Sequence, residues 1–503
     1  MDSKLSVYNS LTRNKEEFKA MNPPFAGMYV CGPTVYGDPH LGHARSAITF
    51  DIVFRYLSFI GYKVRYVRNI TDVGHLENDA DEGADKIAKK ARIEQLEPME
   101  VVQMYTNSYH EAMDRLNVRR PSIEPRASGH IQEQVEMIQR IIDAGLAYVS
   151  NGSVYFDVLK YNEHEHYGEL SGRILDDLIA HAGEERRTLE GKEEKKNSFD
   201  FALWKKAAPE HIMRWNSPWS EGFPGWHIEC SAMSAKYLGE TFDIHGGGMD
   251  LLFPHHECEI AQSRSSNGVA PAKYWMHNNM ITINGQKMGK SLGNAVNLAQ
   301  FFDGDHPVLA RAYNPMTIRF FILQAHYRST LDFSNEALEA ADKGLRKMIN
   351  GLRTAKALVY TEDSSIAKDE ALDKEILADC ERVYEGMNND FNTAIAIAEL
   401  YNLLKRINSI KAGIIPMAGI SRESFDKLIS TFVAVNEEVL GICEEKMTER
   451  DDPNRMIESW METYRAARAE KKFDMVDLIR GNFKQMGIVI KDSKTGSEWA
   501  YEE

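Results

Sequence analysis

Cysteine is scarce in this chain, with five residues spread over 503. That is too few and too scattered for a disulfide framework, so in a reducing compartment they serve as core thiols, metal ligands or reactive groups. Long apolar runs are missing too. No uninterrupted stretch approaches the roughly 20 residues of a membrane-spanning helix, and membrane readings fall away. The N-terminal segment scatters Lys and Glu where a secretory signal would have a basic start and an apolar core, so cytoplasm is the expected compartment. Positive charge is in deficit, with a formal net charge of −15. This argues against indiscriminate nucleic-acid binding while leaving room for a local basic patch. No internal repeat and no extended low-complexity segment is present. What is left is ordinary globular composition, 43% hydrophobic and 27% charged, in a chain long enough for roughly two to four domains.

Residues 27–69 read as one β-α-β unit. An extended Met28-Tyr29-Val30 runs into a turn at Gly32-Pro33-Thr34. A long helix follows, with Ile48, Ile52, Phe54, Leu57 and Ile60 at helical spacing before Gly61 stops it. Residues 64–67 form the next strand. That order implies a parallel pair with a right-handed crossover, hence a doubly wound α/β domain whose ligands bind beyond the carboxyl ends of its strands. Residues 79–117 are helical and charge-rich. Turns, short strands and polar runs alternate over 120–208, as in an insertion, and the charged run at 183–197 reads as a solvated loop. A second α/β half spans 222–294. From 336 to 446 the period is helical, with Leu400, Leu403, Leu404 and Ile407 spaced as in a bundle. Residues 460–499 combine helices bearing Arg465, Arg468, Lys471, Lys472, Arg480 and Lys484 with a strand-like Gly487-Ile488-Val489-Ile490. A basic face of this kind is either solvated or an RNA contact.

Two motifs carry chemistry. Pro39-His40-Leu41-Gly42-His43 falls where the first strand's loop turns into the helix. Gly42 lets a ligand approach the backbone, the helix N-terminus favours phosphate, and two imidazoles can donate hydrogen bonds to it. Alone, it is also what a pair of packed or surface histidines looks like. Lys287-Met288-Gly289-Lys290-Ser291-Leu292-Gly293-Asn294 follows an extended Met280-Ile281-Thr282-Ile283. Its two lysines can fold over a triphosphate and offset charge that develops in a transition state. Alone, it is also an ordinary surface turn.

Together the two elements resemble the paired signatures of the class I aminoacyl-tRNA synthetases, His-x-Gly-His and Lys-Met-Ser-Lys-Ser, in order, context and separation. Gly289 departs from the pattern, standing where the family usually has Ser, which removes a hydroxyl and spares both lysines. Four further stretches resemble the cysteine-specific branch of that family: residues 29–36 around Cys31, Asn69-Ile70-Thr71-Asp72, residues 225–233 around Trp226 and Cys230, and residues 243–257 from Asp243 to Glu257. The likeness extends over nearly the whole chain. It implies the zinc ligands Cys31, Cys230, His255 and Glu259, with one zinc per chain. Thiolate, imidazole and carboxylate are ligands zinc accepts, and on a helix beginning near Pro254 the last two share one face. By the same resemblance ATP, with Mg²⁺, is bound by Thr34, His40, Gly42, His43, Lys287, Lys290 and Ser291. L-Cysteine is bound by Cys31, Gly32, Thr71, Trp226 and His255, and the catalytic groups are His40, His43, Lys287 and Lys290. Cys258, Cys380 and Cys443 remain core or surface thiols. Residues 73–84 depart from the family as an acidic insertion, read as a solvated loop or a cation site.

The implied fold is a Rossmann-like, doubly wound parallel-sheet catalytic domain with a connective insertion, followed by a helical-bundle anticodon-binding domain. Its expected boundaries are 1–119 and 222–300 for the catalytic halves, 120–221 for the insertion, 301–347 for a stem-contact region, 348–447 for the bundle and 448–503 for a small C-terminal subdomain. The implied reaction joins cysteine to ATP as an adenylate and passes it to the terminal ribose of tRNA(Cys), with no covalent enzyme intermediate. The expected partners are tRNA(Cys), L-cysteine and ATP, and neither DNA nor a membrane. An alternative is a ligase of the mycothiol type that hands cysteine to an amino sugar through the same adenylate. The long helical and basic portion after Asp332 has no use in such an enzyme and decides against it. A non-catalytic zinc-dependent RNA-binding module would lack the two loops that are present here.

Overall fold

The strand Phe25–Val30 (β1) is exposed at its first residue and buried at its last three, as a strand is when it runs into a sheet covered on both faces. It is followed by the helix Leu41–Phe59 (α1), which buries Ala44, Ile48, Phe50, Ile52 and Val53 and, among them, the polar Arg45, Thr49 and Asp51. Gly61, at φ 102°, ends that run and admits the strand Lys63–Arg68 (β2). The second half supplies the helix Ile228–Leu238 (α2), the strand Phe242–Gly248 (β3), the helix Glu257–Asn267 (α3) and the strand Ala272–Asn278 (β4). The four strands pair in the order β4-β3-β1-β2, all parallel, with His245 opposite Tyr29 and Met28 opposite Tyr66. The connection from β1 leads to one edge while β3 and β4 fill the other. The boundary between β1 and β3 is therefore the switch point at which sheets of this kind bind ligands.

Gly246 on β3 shows how closely the layers meet. A Cβ placed there would lie 2.2 Å from Phe50 Cε1 of α1, so only glycine lets the helix approach the strand this far.

The structure is a computed structural model and describes residues 4–74, 86–94, 96–175, 194–209, 211–288, 294–443, 453–493 and 496–502. The chain forms two compact units. The first comprises Met1–Ala312, His326–Asp332 and Asn388–Phe391, and the second Tyr313–Ala325, Phe333–Met387 and Asn392–Glu503. In the first unit, the region read from sequence as an insertion is an antiparallel five-stranded sheet of Ala147–Ser150, Ser153–Phe156, Phe201–Lys206, Glu221–Pro224 and Trp215–Asn216. Pro224 pairs with Trp204, so the sheet reaches past the expected boundary at 221. The same region holds a helix, Ile131–Asp143, whose buried Gln134, Met137, Ile138 and Ile141 follow the helical period. The mixed reading of 120–208 missed it. Most of the charged run 183–197 and of the acidic stretch 73–84 lies outside the described residues, although Lys196, at the end of the first, pairs with Asp157 at 3.0 Å.

The second unit is built from the helices Pro315–Leu323 (α4), Asn335–Ala357 (α5), Glu370–Asn388 (α6), Thr393–Lys411 (α7) and Arg422–Ala434 (α8). Leu345, Met348 and Leu352 of α5 and Leu400, Leu403 and Ile407 of α7 are buried. Its C-terminal part folds the helices Pro453–Ala469 (α9) and Phe473–Gln485 (α10) on a hairpin of Ile488–Asp492 (β5) and Ser497–Tyr501 (β6), around Met461, Tyr464, Ile479 and Phe483. Part of the basic face expected there is already paired with a carboxylate of the same subdomain. Asp492 pairs with Arg468 at 3.0 Å and also with Arg480. Among the described residues no helix is long and apolar enough to cross a membrane.

Candidate active site and metal centre

The candidate site gathers at the carboxyl end of the parallel sheet. Cys31 follows β1, and its amide donates to Gly246 O on β3 at 3.1 Å, which fixes it at the switch point. Cys230 and Glu259 lie in the first turns of α2 and α3. His255 comes from the kinked turn Leu252–His256 that leads into α3, in which Phe253 is extended. One ligand atom from each of these four residues lies within 4.8 Å of the others, with Cys31 half-buried and the other three buried. The two sulfurs are 3.7 Å apart, Cys31 Sγ is 3.6 Å from Glu259 Oε1, and His255 Nε2 is 3.2 Å from the same oxygen. His255 Nε2 is buried and makes no hydrogen bond.

The electrostatics are those of donors turned on one another. Burial pushes the Cys31 thiol well up, helped by Cys230 and Glu259. Burial acts the same way on Cys230, but the hydrogen bond from Cys31 and the neighbouring His255 outweigh it and bring this thiol down to about 6. Burial disfavours charge on His255, yet Cys230 and Glu259 lift it to about 10. Glu259 is held at about 2, because His245 and His255 override its burial. A cation entering this cluster replaces the protons on Cys31 and His255, so its affinity rises with pH.

Gly32 and the loop after β2 adjoin the cluster. A Cβ on Gly32 would lie 1.6 Å from Asn69 O, so glycine is required where the two loops touch, and Gly32 N donates to Asn69 Oδ1 at 2.8 Å. Asn69 Nδ2 donates to Thr71 Oγ1 at 3.1 Å, and the Thr71 hydroxyl donates to the buried Glu229. The Trp226 ring lies 4.5 Å from the His255 ring, centroid to centroid. Thr34 bridges to Thr71 through the main chain.

The second group of motif residues forms the mouth of α1. His40 is the N-cap: its Nδ1 accepts from Gly42 N, and its own amide donates to His43 Nδ1, both at 3.1 Å. The rings stack at 3.9 Å. Burial and the adjacent His40 hold His43 well below the usual imidazole range, so it is neutral near pH 7. With both Nδ1 atoms accepting, Nε2 is the nitrogen of each ring that carries the proton. Lys287 is exposed on the short strand Gln286–Lys287, paired with Ile281–Ile283. Leu298 N donates to Pro39 O at 2.8 Å, and His40 bridges to Asn297, so the chain leaving the lysine loop returns to the histidine loop. Lys290 and Ser291 lie outside the described residues.

A family model described as "tRNA synthetases class I (C) catalytic domain" matches residues 17–343, and one described as "DALR domain" matches 382–444. Cysteine–tRNA ligases of Bacteroides thetaiotaomicron and Cytophaga hutchinsonii are 58% and 60% identical to the chain, each over 99% of both proteins. The chain belongs to the cysteine–tRNA ligase family. Among solved structures, Mycobacterium tuberculosis methionyl-tRNA synthetase bound by methionyl-adenylate shares the fold, with a TM-score of 0.57 at 15% identity, over 83% of this chain and 92% of that one.

In this cysteine–tRNA ligase framework the centre is larger than the motif residues. Cys31, His245, His256 and Glu259 form a second set with ligand atoms within 4.8 Å. His245 Nε2 hydrogen-bonds Glu259 Oε2 at 2.8 Å, His256 Nδ1 meets His277 Nε2 at 2.8 Å, and His277 Nδ1 meets Ser10 Oγ at 2.8 Å. Burial, with His245 nearby, lowers His256 well and His277 to about 3. The sequence carried one signal for this shell. Five of its 16 histidines fall between 227 and 277, a concentration that a purely structural segment has no need of.

Proposed function

We propose that the chain condenses L-cysteine with ATP to cysteinyl-adenylate and pyrophosphate. It then passes the cysteinyl group to the 3′-terminal adenosine of tRNA(Cys), selecting its amino acid through a zinc ion. The observation that carries this is the convergence of Cys31, Cys230, His255 and Glu259, with a buried His255 Nε2 that has no hydrogen bond. Two sulfurs, an imidazole and a carboxylate suit zinc better than they suit a hard cation. Zinc, when bound, supplies a soft Lewis acid that prefers a thiolate to a hydroxyl.

The chain's own residues do the rest. A pocket that only measured size would reject serine weakly, by about 1–3 kcal/mol. Cys31, Cys230, His255 and Glu259 therefore serve selection by holding the ion at the base of the amino-acid site. Gly32, Thr71 and Trp226 shape that site, with Asn69 and Glu229 fixing the Thr71 hydroxyl. His40 and His43 present Nε2–H donors, and Lys287 and Lys290 positive charge, to the phosphates of ATP, which arrives with Mg²⁺. These groups gain most where charge develops during transfer of the adenylyl group. Thr34 and Ser291 complete the nucleotide site. In the helical unit, a cavity of about 1170 Å³ is lined by Lys343, Lys347, Arg353, Lys405, Lys411 and Trp499. Cations and an aromatic face suit a nucleic-acid backbone and its bases, which supports assigning 348–503, with Lys343 and Lys347 just before it, to tRNA. The reaction belongs to the cytoplasm.

Cysteine-dependent ATP–pyrophosphate exchange tests the reading in protein with and without metal. We expect exchange with cysteine and none with serine, and loss on chelation that zinc restores. Metal-free protein that still preferred cysteine by several thousandfold would refute selection through zinc.

A further inference from the structure

Arg45 lies two residues past His43 on α1 and is 1% exposed. Among the described residues it pairs with no carboxylate. Its Nε donates to Asn279 O at 2.9 Å, and Nη2 donates to His326 O and Tyr327 O at 3.2 Å and to Ser329 O. Nη1 is buried without a hydrogen bond. Burial pulls the guanidinium down to about 10, which leaves it charged near neutrality. Burying a cation against carbonyls alone is costly, and packing a helix does not require it.

The two segments it grips explain the arrangement. Asn279 sits between β4 and the strand Ile281–Ile283, whose partner carries Lys287. Residues 326–332 form the backing of that hairpin. Asn279 N donates to Tyr327 O at 2.9 Å and Leu331 N to Met280 O at 3.2 Å. Asp332 accepts from Thr282 Oγ1 at 2.6 Å and from Gly285 N at 2.8 Å. One guanidinium therefore joins the helix that opens with His40 and His43 to the root and backing of the hairpin that bears Lys287.

We propose that Arg45 is a positioning residue for adenylate formation, fixing the two signature loops on one mount so that imidazoles and lysine meet the same triphosphate. This rests on the reading of those loops given above. The planar fork of arginine reaches both segments at once, while the single ammonium of lysine reaches one. A displacement of about 1 Å at a reacting centre costs on the order of a hundredfold in rate.

The test uses Arg45→Lys and Arg45→Met in the full-length, zinc-loaded protein, with single-turnover adenylate formation, cysteine affinity, zinc content and thermal melting measured on each. We expect adenylate formation to slow by about 30-fold or more in both, with cysteine affinity within about twofold of the parent and zinc content unchanged. Parental rates in folded Arg45→Met would overturn the proposal. So would a proportional loss of rate and cysteine affinity, or failure of both variants to fold, since the residue would then serve stability alone. Lys287→Ala is the control: if it forms adenylate at the parental rate, the reading of the loops fails, whatever Arg45 does.

Discussion

Cys31 Sγ and Cys230 Sγ lie 3.7 Å apart although 199 positions separate them, one at the carboxyl end of β1 and the other in the first turn of α2. The sheet order brings them together, because β3 lies beside β1 and α2 runs directly into β3. Neither sulfur is exposed enough to be an incidental surface thiol. Cys230→Ser should therefore lower zinc affinity by at least the roughly ten- to hundredfold that losing an outer-shell partner costs, and cysteine affinity should fall in parallel. In cobalt-substituted parent, cysteine should raise a sulfur-to-metal charge-transfer band and serine should not. A variant that lost metal but kept cysteine affinity would separate the two roles and sink their coupling.

On the function proposed above, His43 does two jobs that different substitutions divide. Asn offers an amide oxygen near the position of Nδ1 and keeps the bond from the His40 amide, but removes the Nε2–H. Gln reaches the Nε2 position with an NH₂ and gives up the cap. His43→Asn should slow pyrophosphate exchange by about a hundredfold with stability nearly unchanged. His43→Gln should retain more activity while losing about 1 kcal/mol of stability. Equal activities in the two variants would contradict the donor role.

How much of this was legible depended on the range of the interaction. The β-α-β unit from Phe25 to Arg68 could be read because helical period, a stopping glycine and flanking strands are local signals. The helix Ile131–Asp143 was equally local, but the polar, turn-rich sequence around it hid it. The meeting of Cys31 with Cys230 is not written at any local spacing, and only likeness to a family suggested it. His245 escaped notice because its bond to Glu259 spans two elements, and His256 because its partner His277 lies on another element. The grip of Arg45 on carbonyl oxygens was invisible for a simpler reason. Main-chain acceptors carry no sequence identity.

Glu124 gives the first unit an acid-sensitive brace. Burial disfavours its charge, but His110 at 2.6 Å and Arg68 at 2.8 Å reverse that and hold the carboxyl at about 2 against an ordinary 4.5. The folded value is the lower one, so the stabilisation is complete above pH 5 and is lost as pH falls through 4.5 toward 2. Its size is about 3 kcal/mol. Glu124→Gln should flatten the fall in unfolding free energy between pH 5 and 3 while lowering stability at pH 7. An unchanged acid profile in urea titrations would remove Glu124 from the account.

Asp390 decides where the chain can be cut. It lies after α6, at φ 65°, yet belongs to the first unit. Fully buried, it accepts from Tyr8 N at 2.9 Å and Tyr327 OH at 2.7 Å through one oxygen and from Arg328 Nε at 2.8 Å through the other, while its amide donates to Ser6 O at 2.9 Å. The expected bundle boundary at 348 would suggest truncating there to isolate the catalytic half. That cut removes Asp390 and leaves the buried hydroxyl of Tyr327 and the part-buried donors of Tyr8 and Arg328 without their acceptor. Breaking a buried pair from one side costs about 3–5 kcal/mol, so the truncated protein should be insoluble or melt far below the parent. Asp390→Ala in the full chain should show a loss of the same order, and Asp390→Asn, which keeps one acceptor, a smaller one. A cut after residue 443 spares the segment. That protein should keep cysteine-dependent pyrophosphate exchange within about twofold, while its charging of tRNA falls by on the order of a hundredfold with loss of the C-terminal cations. A protein ending at 348 that was as stable and as active in exchange as one ending at 443 would show that Asp390 is dispensable.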